Sequence, residues 1–178
     1  SRLMASKIKV DQLETADGTG TIALQNQLSG LTSASMPTGS VLQVVQHFHN
    51  STSSYTSTTS TSYVTTNLTK TITPSSTSSK IKIEFSGYLD IGTTSGYGFL
   101  TVKRGSTNLG DCERDGFAGI DLVSNSRFLG NVSYTYLDSP ATTSATTYEV
   151  FIKAGNGATV RFRNDVVPAT LVLTEIKG

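Results

Sequence analysis

The sequence predicts an all-β fold, either an antiparallel β-sandwich or a jelly roll. Apolar side chains alternate with polar ones over several short runs, most clearly over residues 80–89 and on both sides of a turn within residues 131–153. Turn-forming residues separate the runs, and no stretch has the pattern of a long helix. About eight strands without an internal repeat favour a two-sheet sandwich over a propeller or a solenoid.

A short N-terminal arm is predicted to precede the sandwich. Residues 1–37 form this arm and residues 38–178 the head domain, because Met36-Pro37-Thr38-Gly39 is a strong break. The apolar residues of the arm are too few and too interrupted to form a core, so we expect them to pack on partner chains. They are Ile8, Val10, Leu13, Ile22, Leu24, Leu28 and Leu31. The run over residues 22–31 fits either a short helix or an extended strand.

The first part of the head is predicted to hold strands over residues 41–48 and 62–72, separated by a long loop over residues 50–60. From residue 50 to residue 79, 21 of 30 residues are Ser or Thr, which would favour disorder if the composition were uniform. Threonine is β-branched, however, and suits the outer face of a strand. Apolar residues also recur here at strand-like intervals, namely Tyr63, Val64, Leu68 and Ile72.

Residues 80–89 give the clearest strand, because one parity is apolar and the other polar. The apolar members are Ile81, Ile83, Phe85 and Leu89, and the polar ones are Lys80, Lys82, Glu84 and Ser86. This pattern is typical of a half-buried strand in an antiparallel sheet. A strand over residues 97–104 is expected next, with its turn over 105–108, and residues 110–125 are predicted to form a long exposed loop.

Residues 131–153 are predicted to form two paired antiparallel strands around a turn that begins at Asp138-Ser139-Pro140. The apolar positions are Phe128, Val132, Tyr134 and Tyr136 before the turn and Tyr148, Val150 and Ile152 after it. Gly155-Asn156-Gly157 then predicts a hairpin turn into a strand over residues 159–163. A last strand is predicted over residues 169–176.

Composition argues against several classes of protein. The net charge is +1 and only 15% of residues are charged, without a basic block, so nucleic acid is not an expected partner. Arg161 and Arg163 form one of the denser basic spots and are expected on a solvated strand face. No apolar run is long enough to cross a bilayer, so membrane insertion is not expected. Cys112 is the single cysteine, and it is interpreted as a buried thiol, with an intermolecular bridge as the alternative.

The sequence carries no motif for catalysis. A nucleophile elbow, a phosphate loop and a dinucleotide fingerprint are all missing. Acidic residues that could act as a pair in glycoside cleavage are few. We therefore predict neither an enzymatic activity nor a cofactor.

His47-Phe48-His49 is the one pattern that could bind a metal ion. Alternate residues of a strand lie on the same side, so the two imidazoles would project together. Two ligands do not complete the closed shell of a structural site, and both histidines are expected at the end of an exposed strand. No metal site is predicted, with His47 and His49 as the only candidates. The acidic residues within 110–125 lack the spacing of a calcium-binding EF-hand loop.

Three segments resemble one group of proteins. Residues 4–46, MASKIKVDQLETADGTGTIALQNQLSGLTSASMPTGSVLQVVQ, are similar to the N-terminal part of tail-fibre and fibre-like virion proteins of marine bacteriophages. Residues 136–154, YLDSPATTSATTYEVFIKA, and residues 169–178, ATLVLTEIKG, resemble the closing strands of the same group. The segments cover both ends of the chain and part of its middle.

The resemblance implies a phage virion protein, made in the cytoplasm of the host bacterium, that forms a homotrimer. Its head would be similar to the jelly rolls of complement-type and tumour-necrosis-factor-like domains, and its arm would attach to other virion proteins. The implied role is a tail fibre that mediates host attachment. The alternative is a capsid-decorating or head-fibre protein that forms trimers on the phage head. A virion enzyme such as a polysaccharide depolymerase is disfavoured, because repetitive β-helical rungs are absent from the sequence.

On this interpretation the loops over residues 50–60 and 110–125 are expected to contact the receptor, a glycan or a protein of the host surface. Tyrosine and small polar residues make adaptable recognition loops. The candidate receptor-binding residues are Tyr55, Asp111, Glu113, Arg114, Asp115 and Phe117. In a trimer, three copies of the His47 and His49 pair around the axis would offer six nitrogens to a divalent ion.

Overall fold

The computed structural model describes residues 32–52, 54–92, 96–110, 116–122 and 127–178. These residues form a β-sandwich of two antiparallel sheets, which confirms the predicted fold class. The strands are β1 (Val41–His49), β2 (Thr56–Thr58), β3 (Val64–Ile72), β4 (Lys80–Ile91), β5 (Gly96–Arg104), β6 (Thr107–Asn108), β7 (Ala118–Leu122), β8 (Phe128–Asp138), β9 (Thr146–Gly155), β10 (Val160–Phe162) and β11 (Ala169–Ile176). A 3-10 turn at Ser33–Ser35 precedes them. No helix in the described ranges is long and apolar enough to cross a membrane.

Sheet A is organised around β4, the longest strand. Along one edge β4 pairs with β8 over residues 81–91. Its other edge is shared, because residues 80–86 pair with β11 and residues 89–91 pair with β10. β1 continues the sheet beyond β11, and β2 continues it beyond β10. On this edge, the first part of β4 is therefore followed by β11 and β1, and its last part by β10 and β2.

Sheet B consists of β3, β9 and β5 in that order, with β6 and β7 sharing the far edge of β5. Its inner face meets that of sheet A in a single core, to which Tyr148, Val150 and Ile152 contribute from β9. Opposite them lie Ile81 and the other apolar residues of the same parity on β4, as predicted. Full burial of each such side chain contributes about 1.5–3 kcal/mol, so the alternation fixes which face of each strand turns inward.

The predicted pairing within residues 131–153 is wrong. β8 belongs to sheet A, where it pairs with β4, whereas β9 lies in sheet B between β3 and β5. The connecting segment over residues 139–145 crosses from one sheet to the other. Alternation reports which face of a strand is buried but not which strand is its neighbour, and both strands meet the requirement by facing one core from opposite sides.

The predicted hairpin at Gly155-Asn156-Gly157 is wrong for the same reason. The turn itself forms, with Asn156 at φ 53° and Gly157 at φ 76° and a hydrogen bond of 3.2 Å from the Ala158 amide to the Gly155 carbonyl. It leads from sheet B into sheet A, where β10 pairs with β4 and β2. A left-handed glycine turn thus reverses the chain without pairing the strands on either side of it.

The predicted loops over residues 50–60 and 110–125 each contain a short strand, so both predictions are wrong in part. Residues 50–60 contain the short strand β2, and residues 110–125 contain β7, which extends sheet B beside β5. β2 has no apolar position and β7 has only three, so neither shows an alternation that a sequence search detects. The predicted arm contacts at Ile8, Val10, Leu13, Ile22, Leu24, Leu28 and Leu31 lie outside the described residues, as does Cys112.

The ends of the head lie together at what we call the proximal end of the sandwich. The Gly39 amide donates to the Lys177 carbonyl at 2.8 Å, and the Lys177 amide donates to the Ser40 carbonyl at 2.9 Å. The Lys177 ammonium also donates to the carbonyls of Ala34 and Met36, which fixes the segment that leads into the head. The opposite end, where β4 finishes at Ile91, is the distal end.

Candidate functional site

One carboxylate and three arginines meet at the distal end of sheet A. Asp90 is the penultimate residue of β4, and its register partners are Arg161 on β10 and Leu129 on β8. Because Leu89 and Ile91 face the core, the intervening Asp90 side chain lies on the outward face of the sheet. Arg127, Arg161 and Arg163 cover it completely. We call these four residues the arginine cluster.

The three arginines contact Asp90 unequally. Arg127 makes a bidentate pair, with Nε 2.8 Å from Oδ1 and Nη2 2.7 Å from Oδ2. Nη1 of Arg161 is 3.4 Å from Oδ2, and Nη1 of Arg163 is 3.3 Å from the same oxygen. Oδ2 therefore accepts three hydrogen bonds, two of them long, so Arg127 supplies the strongest of the pairings.

Arg163 is held by a second carboxylate and by an aromatic ring. Its Nε and Nη2 donate to Asp165 Oδ1 at 2.8 Å and Oδ2 at 3.0 Å. The guanidinium carbon lies 4.7 Å from the centre of the Tyr55 ring, within the range of a cation–π contact. The Arg163 amide donates to the Tyr88 carbonyl at 2.8 Å, which keeps this segment beside β4. Tyr55 and Arg163 thus form a fixed platform beside Asp90.

Each pKa shift in the arginine cluster, and that of the neighbouring Asp165, favours the charged form of the group. Hydrogen bonding from Arg127 lowers the pKa of Asp90 despite the opposing effect of burial, and hydrogen bonding from Arg163 lowers the pKa of Asp165. The bonds to Asp165 and Asp90 raise the pKa of Arg163. Three guanidiniums face two carboxylates, which leaves a formal excess of one positive charge. Groups that stay charged near neutral pH suit binding better than proton transfer.

The cluster borders an open hollow of about 350 Å³, lined by Tyr55, Asp90, Gly92, Arg127, Arg161 and Arg163. This volume is at the lower end of the range for small-molecule sites. Arginine donors next to an exposed aromatic ring are suited to an anionic group attached to a ring that can stack. The geometry therefore favours a binding site for a small anionic ligand.

The structure assigns different positions to the predicted receptor-binding residues. Tyr55 lies in the hollow, with 47% of its surface exposed. Phe117 instead packs against the core, where its ring stacks on Tyr134 with the centroids 4.1 Å apart. Asp111, Glu113, Arg114 and Asp115 lie outside the described residues. Of the two predicted residues that the structure describes, Tyr55 lies beside the arginine cluster and Phe117 does not.

The expectation that Arg161 and Arg163 lie on a solvated face is corrected in part, because both line the open hollow but are also bound to Asp90. The sequence held one signal for this arrangement. Arg161 and Arg163 are two residues apart and therefore point to the same side of an extended chain. What the sequence does not reveal is that β4 brings a carboxylate opposite them.

The two histidines also differ from expectation. Their rings stack with centroids 5.3 Å apart, and His47 Nδ1 lies 2.8 Å from the Thr69 carbonyl of β3, so they face sheet B and not solvent. His49 Nδ1 is buried and has no hydrogen-bond partner within the described ranges. Burial, followed by the neighbouring His47, lowers the pKa of His49. In the described part of the chain, no group of three His, Cys, Asp or Glu side chains is placed to hold a metal ion.

The outward face of sheet A exposes large apolar side chains. Five of the seven exposed large hydrophobic residues in the described ranges lie on it, namely Val41, Val44, Phe48, Leu129 and Leu137. Between β1 and β8, a depression of about 310 Å³ lies over the small side chains of Ser86, Ser133 and Thr170. We call this surface the apolar face. These apolar side chains lie on β1 and β8, with the Lys82–Glu84 ion pair of β4 between them, and such a mixed face is suited to a partner.

The sequence matches no protein-family model and no curated protein. No relative therefore assigns a role to the arginine cluster or to the apolar face. Both have properties of binding surfaces. The arginine cluster combines fixed hydrogen-bond donors with a hollow, and the apolar face exposes apolar side chains around a depression.

Proposed function

We propose that this chain is the head of a bacteriophage tail fibre, which forms a homotrimer and attaches the particle to its host without enzymatic activity. The resemblance of the segments over residues 4–46, 136–154 and 169–178 to phage fibre proteins supports this proposal. The strand order supports a jelly-roll head. Eight strands of the described ranges have five or more residues, and counted from 1 to 8 along the chain they run 1-8-3-6 in sheet A and 2-7-4-5 in sheet B.

The apolar face carries the proposal of a trimer. Phe48 is 59% exposed on β1, at one edge of sheet A, and the depression over Ser86 lies near the middle of the same face. A projecting ring and a depression on different parts of one surface suit a head-to-tail contact with a second copy of the chain. Such contacts close into a ring when the rotation between copies allows it, and a threefold ring would cover the apolar face of each copy.

The two ends of the sandwich support the proposed orientation. The segment from the arm enters at the proximal end, where Lys177 holds it, while the arginine cluster lies at the distal end. A fibre fixed to the particle through its arm would therefore present the arginine cluster outward. This arrangement suits a head whose distal surface meets the host.

The oligomeric state tests the proposed assembly. The mass of the purified protein, measured by light scattering after gel filtration, should be three times 18.8 kDa. Replacing both Val44 and Phe48 by Asp should weaken the trimer at least about 100-fold, because two charges would enter an apolar contact. Val166→Asp is the matched control, since Val166 is 53% exposed but lies outside the apolar face. A monomeric wild-type protein, or a double variant that stays fully trimeric, would contradict the proposal.

The position of the protein on phage particles tests the proposed role. Antibody labelling viewed by electron microscopy should place threefold spikes on the tail. Regular trimers over the phage head would instead make the chain a decoration protein and would remove the tail-fibre assignment. Both results are compatible with a trimer, so this measurement separates the two roles that the apolar face alone does not distinguish.

A further inference from the structure

The arginine cluster has more donors than its own carboxylates use. We propose that its hollow binds the acidic group of a saccharide, with the oxyanion held by Arg127 and Arg161 and the sugar ring against Tyr55. The choice of a surface saccharide rests on the proposed function, whereas the anion site rests on the geometry alone. The ligand chemistry is an oxyanion, a carboxylate, sulfate or phosphate, carried on a sugar ring.

The unequal use of the arginines identifies where the oxyanion binds. Within the described residues, the 3.4 Å contact with Asp90 is the only hydrogen bond of the Arg161 side chain. Nη1 of Arg127 makes none there, because its bonds to Asp90 use Nε and Nη2. Both groups line the hollow, and Asp90 Oδ2 already accepts three hydrogen bonds. An external oxyanion would use these donors and would offset the excess positive charge.

The arrangement exceeds what burial of Asp90 requires. A carboxylate is well satisfied by one bidentate arginine, which Arg127 supplies. Bringing Arg161 and Arg163 to the same oxygen places three like charges close together, which is unfavourable unless anions separate them. Asp165 neutralises Arg163, and no second carboxylate in the described part of the chain contacts Arg161. In our proposal the oxyanion of the ligand is the second anion that contacts Arg161.

Tyr55 supplies the contact for a sugar ring. Its side chain is almost half exposed, lines the same hollow and packs on the Arg163 guanidinium. Arg163 is in turn fixed by its bidentate pair with Asp165. An aromatic platform that is held in place before binding loses little entropy when a ligand stacks on it. The hollow, at about 350 Å³, has room for one monosaccharide unit.

Binding of three probes to the full-length protein at low ionic strength tests this inference. The probes are sodium sulfate, a disaccharide that contains a glucuronic acid unit, and the neutral methyl ester of that disaccharide. Isothermal titration should detect the acidic disaccharide, with one site per chain, and should show at least about tenfold weaker binding of the ester. Sulfate should compete for the site with lower affinity, because it lacks the ring that stacks on Tyr55.

Two variants assign the binding to the hollow. Arg161→Met should weaken sulfate and the acidic disaccharide about tenfold or more, while Arg127 and Arg163 still satisfy Asp90. Lys70→Met is the matched control, since it removes one positive charge from β3 in sheet B and should leave affinity unchanged. Tyr55→Ala should weaken the disaccharide alone. Circular dichroism of each variant verifies that the sandwich is retained.

The outcomes separate the two parts of the inference. No binding of any probe, or full binding by Arg161→Met, would overturn the anion site. Equal affinity for sulfate and the acidic disaccharide, unchanged by Tyr55→Ala, would overturn the saccharide and leave a site for free oxyanions. The variant with Asp at positions 44 and 48 should still bind the disaccharide, so failure of the trimer and failure of this site are distinguishable.

Discussion

The two ends of the sandwich each bury an aspartate, and the difference between them is instructive. At the proximal end Asp138 accepts hydrogen bonds from Arg104 Nη1 at 2.8 and 2.7 Å and from the Tyr148 hydroxyl at 2.7 Å. One cation faces one anion there, and the contacts join β8 of sheet A to β5 and β9 of sheet B. At the distal end, Asp90 is contacted by three cations.

The comparison shows that burial of a carboxylate does not by itself mark a binding site. The contacts of Asp138 are short and its charge is balanced by Arg104, so this pair leaves no charge for a ligand to neutralise. Burial, followed by the hydrogen bond to Asp138, raises the pKa of Tyr148, so its hydroxyl remains a donor. At the distal end, unused donors and an open hollow accompany the buried charge. The balance of charge distinguishes the structural contact of Asp138 between the sheets from the proposed binding site at Asp90.

The largest loss of stability is expected from a substitution of Asp138 at the proximal end. Asp138→Ala leaves Arg104 without its carboxylate and the buried Tyr148 hydroxyl without an acceptor, and should lower the free energy of unfolding by roughly 3 kcal/mol. Urea denaturation at fixed protein concentration measures this loss. Asp121→Ala, an exposed position on β7, is the control and should change stability by less than about 0.5 kcal/mol. A loss below about 1 kcal/mol for Asp138→Ala would mean that the contact does not hold the sheets together.

A smaller loss of stability, which added anions should reverse, is expected from a substitution of Asp90 at the distal end. Asp90→Asn removes the anion among three arginines and should lower the melting temperature. Sulfate should then occupy the vacated position, and 50 mM sulfate should raise the melting temperature of this variant by roughly 3 °C relative to sodium chloride of equal ionic strength. Asp138→Ala is the comparison, because it leaves a single arginine, Arg104, without its aspartate, where Asp90→Asn leaves three. Equal effects of sulfate on both variants would contradict the distinction between the two ends.

The smallest effect is expected on the pH dependence of stability, through the charge of Asp90. The pKa of Asp90 in the folded protein lies below its ordinary value of 3.8, chiefly because Arg127 donates hydrogen bonds to it. Its charge therefore stabilises the fold fully above pH 3.8, and this stabilisation is lost as the pH falls through the lowered pKa. The difference in unfolding free energy between wild type and Asp90→Asn should narrow below pH 3.8 when followed by urea titrations. Asp121→Asn should show no such narrowing, and a constant difference for Asp90→Asn would exclude the mechanism.

The sequence predicted the strands well because each buried face leaves a periodic trace. The last strand was placed at residues 169–176, as the structure has it. The partners of the strands were not predictable in this way, since β8 and β9 satisfy the same alternation whether they pair or face each other across the core. Tyr55 was a candidate because of its loop composition, and the structure places it in the hollow beside the arginine cluster. The arginine cluster was missed because its members come from separate segments that only the sheet brings together.

The pairing of β1 with β11 also determines when the head can finish folding. Within the described residues β1 pairs only with β11, so residues 41–49 must wait until residues 169–176 have been synthesised. At ~5–20 residues per second, that interval is on the order of ten seconds. Throughout it, the backbone groups of β1 lack the strand with which they pair in the folded head. The strand that supplies the proposed subunit contact is thus the one exposed longest to premature association between neighbouring nascent chains.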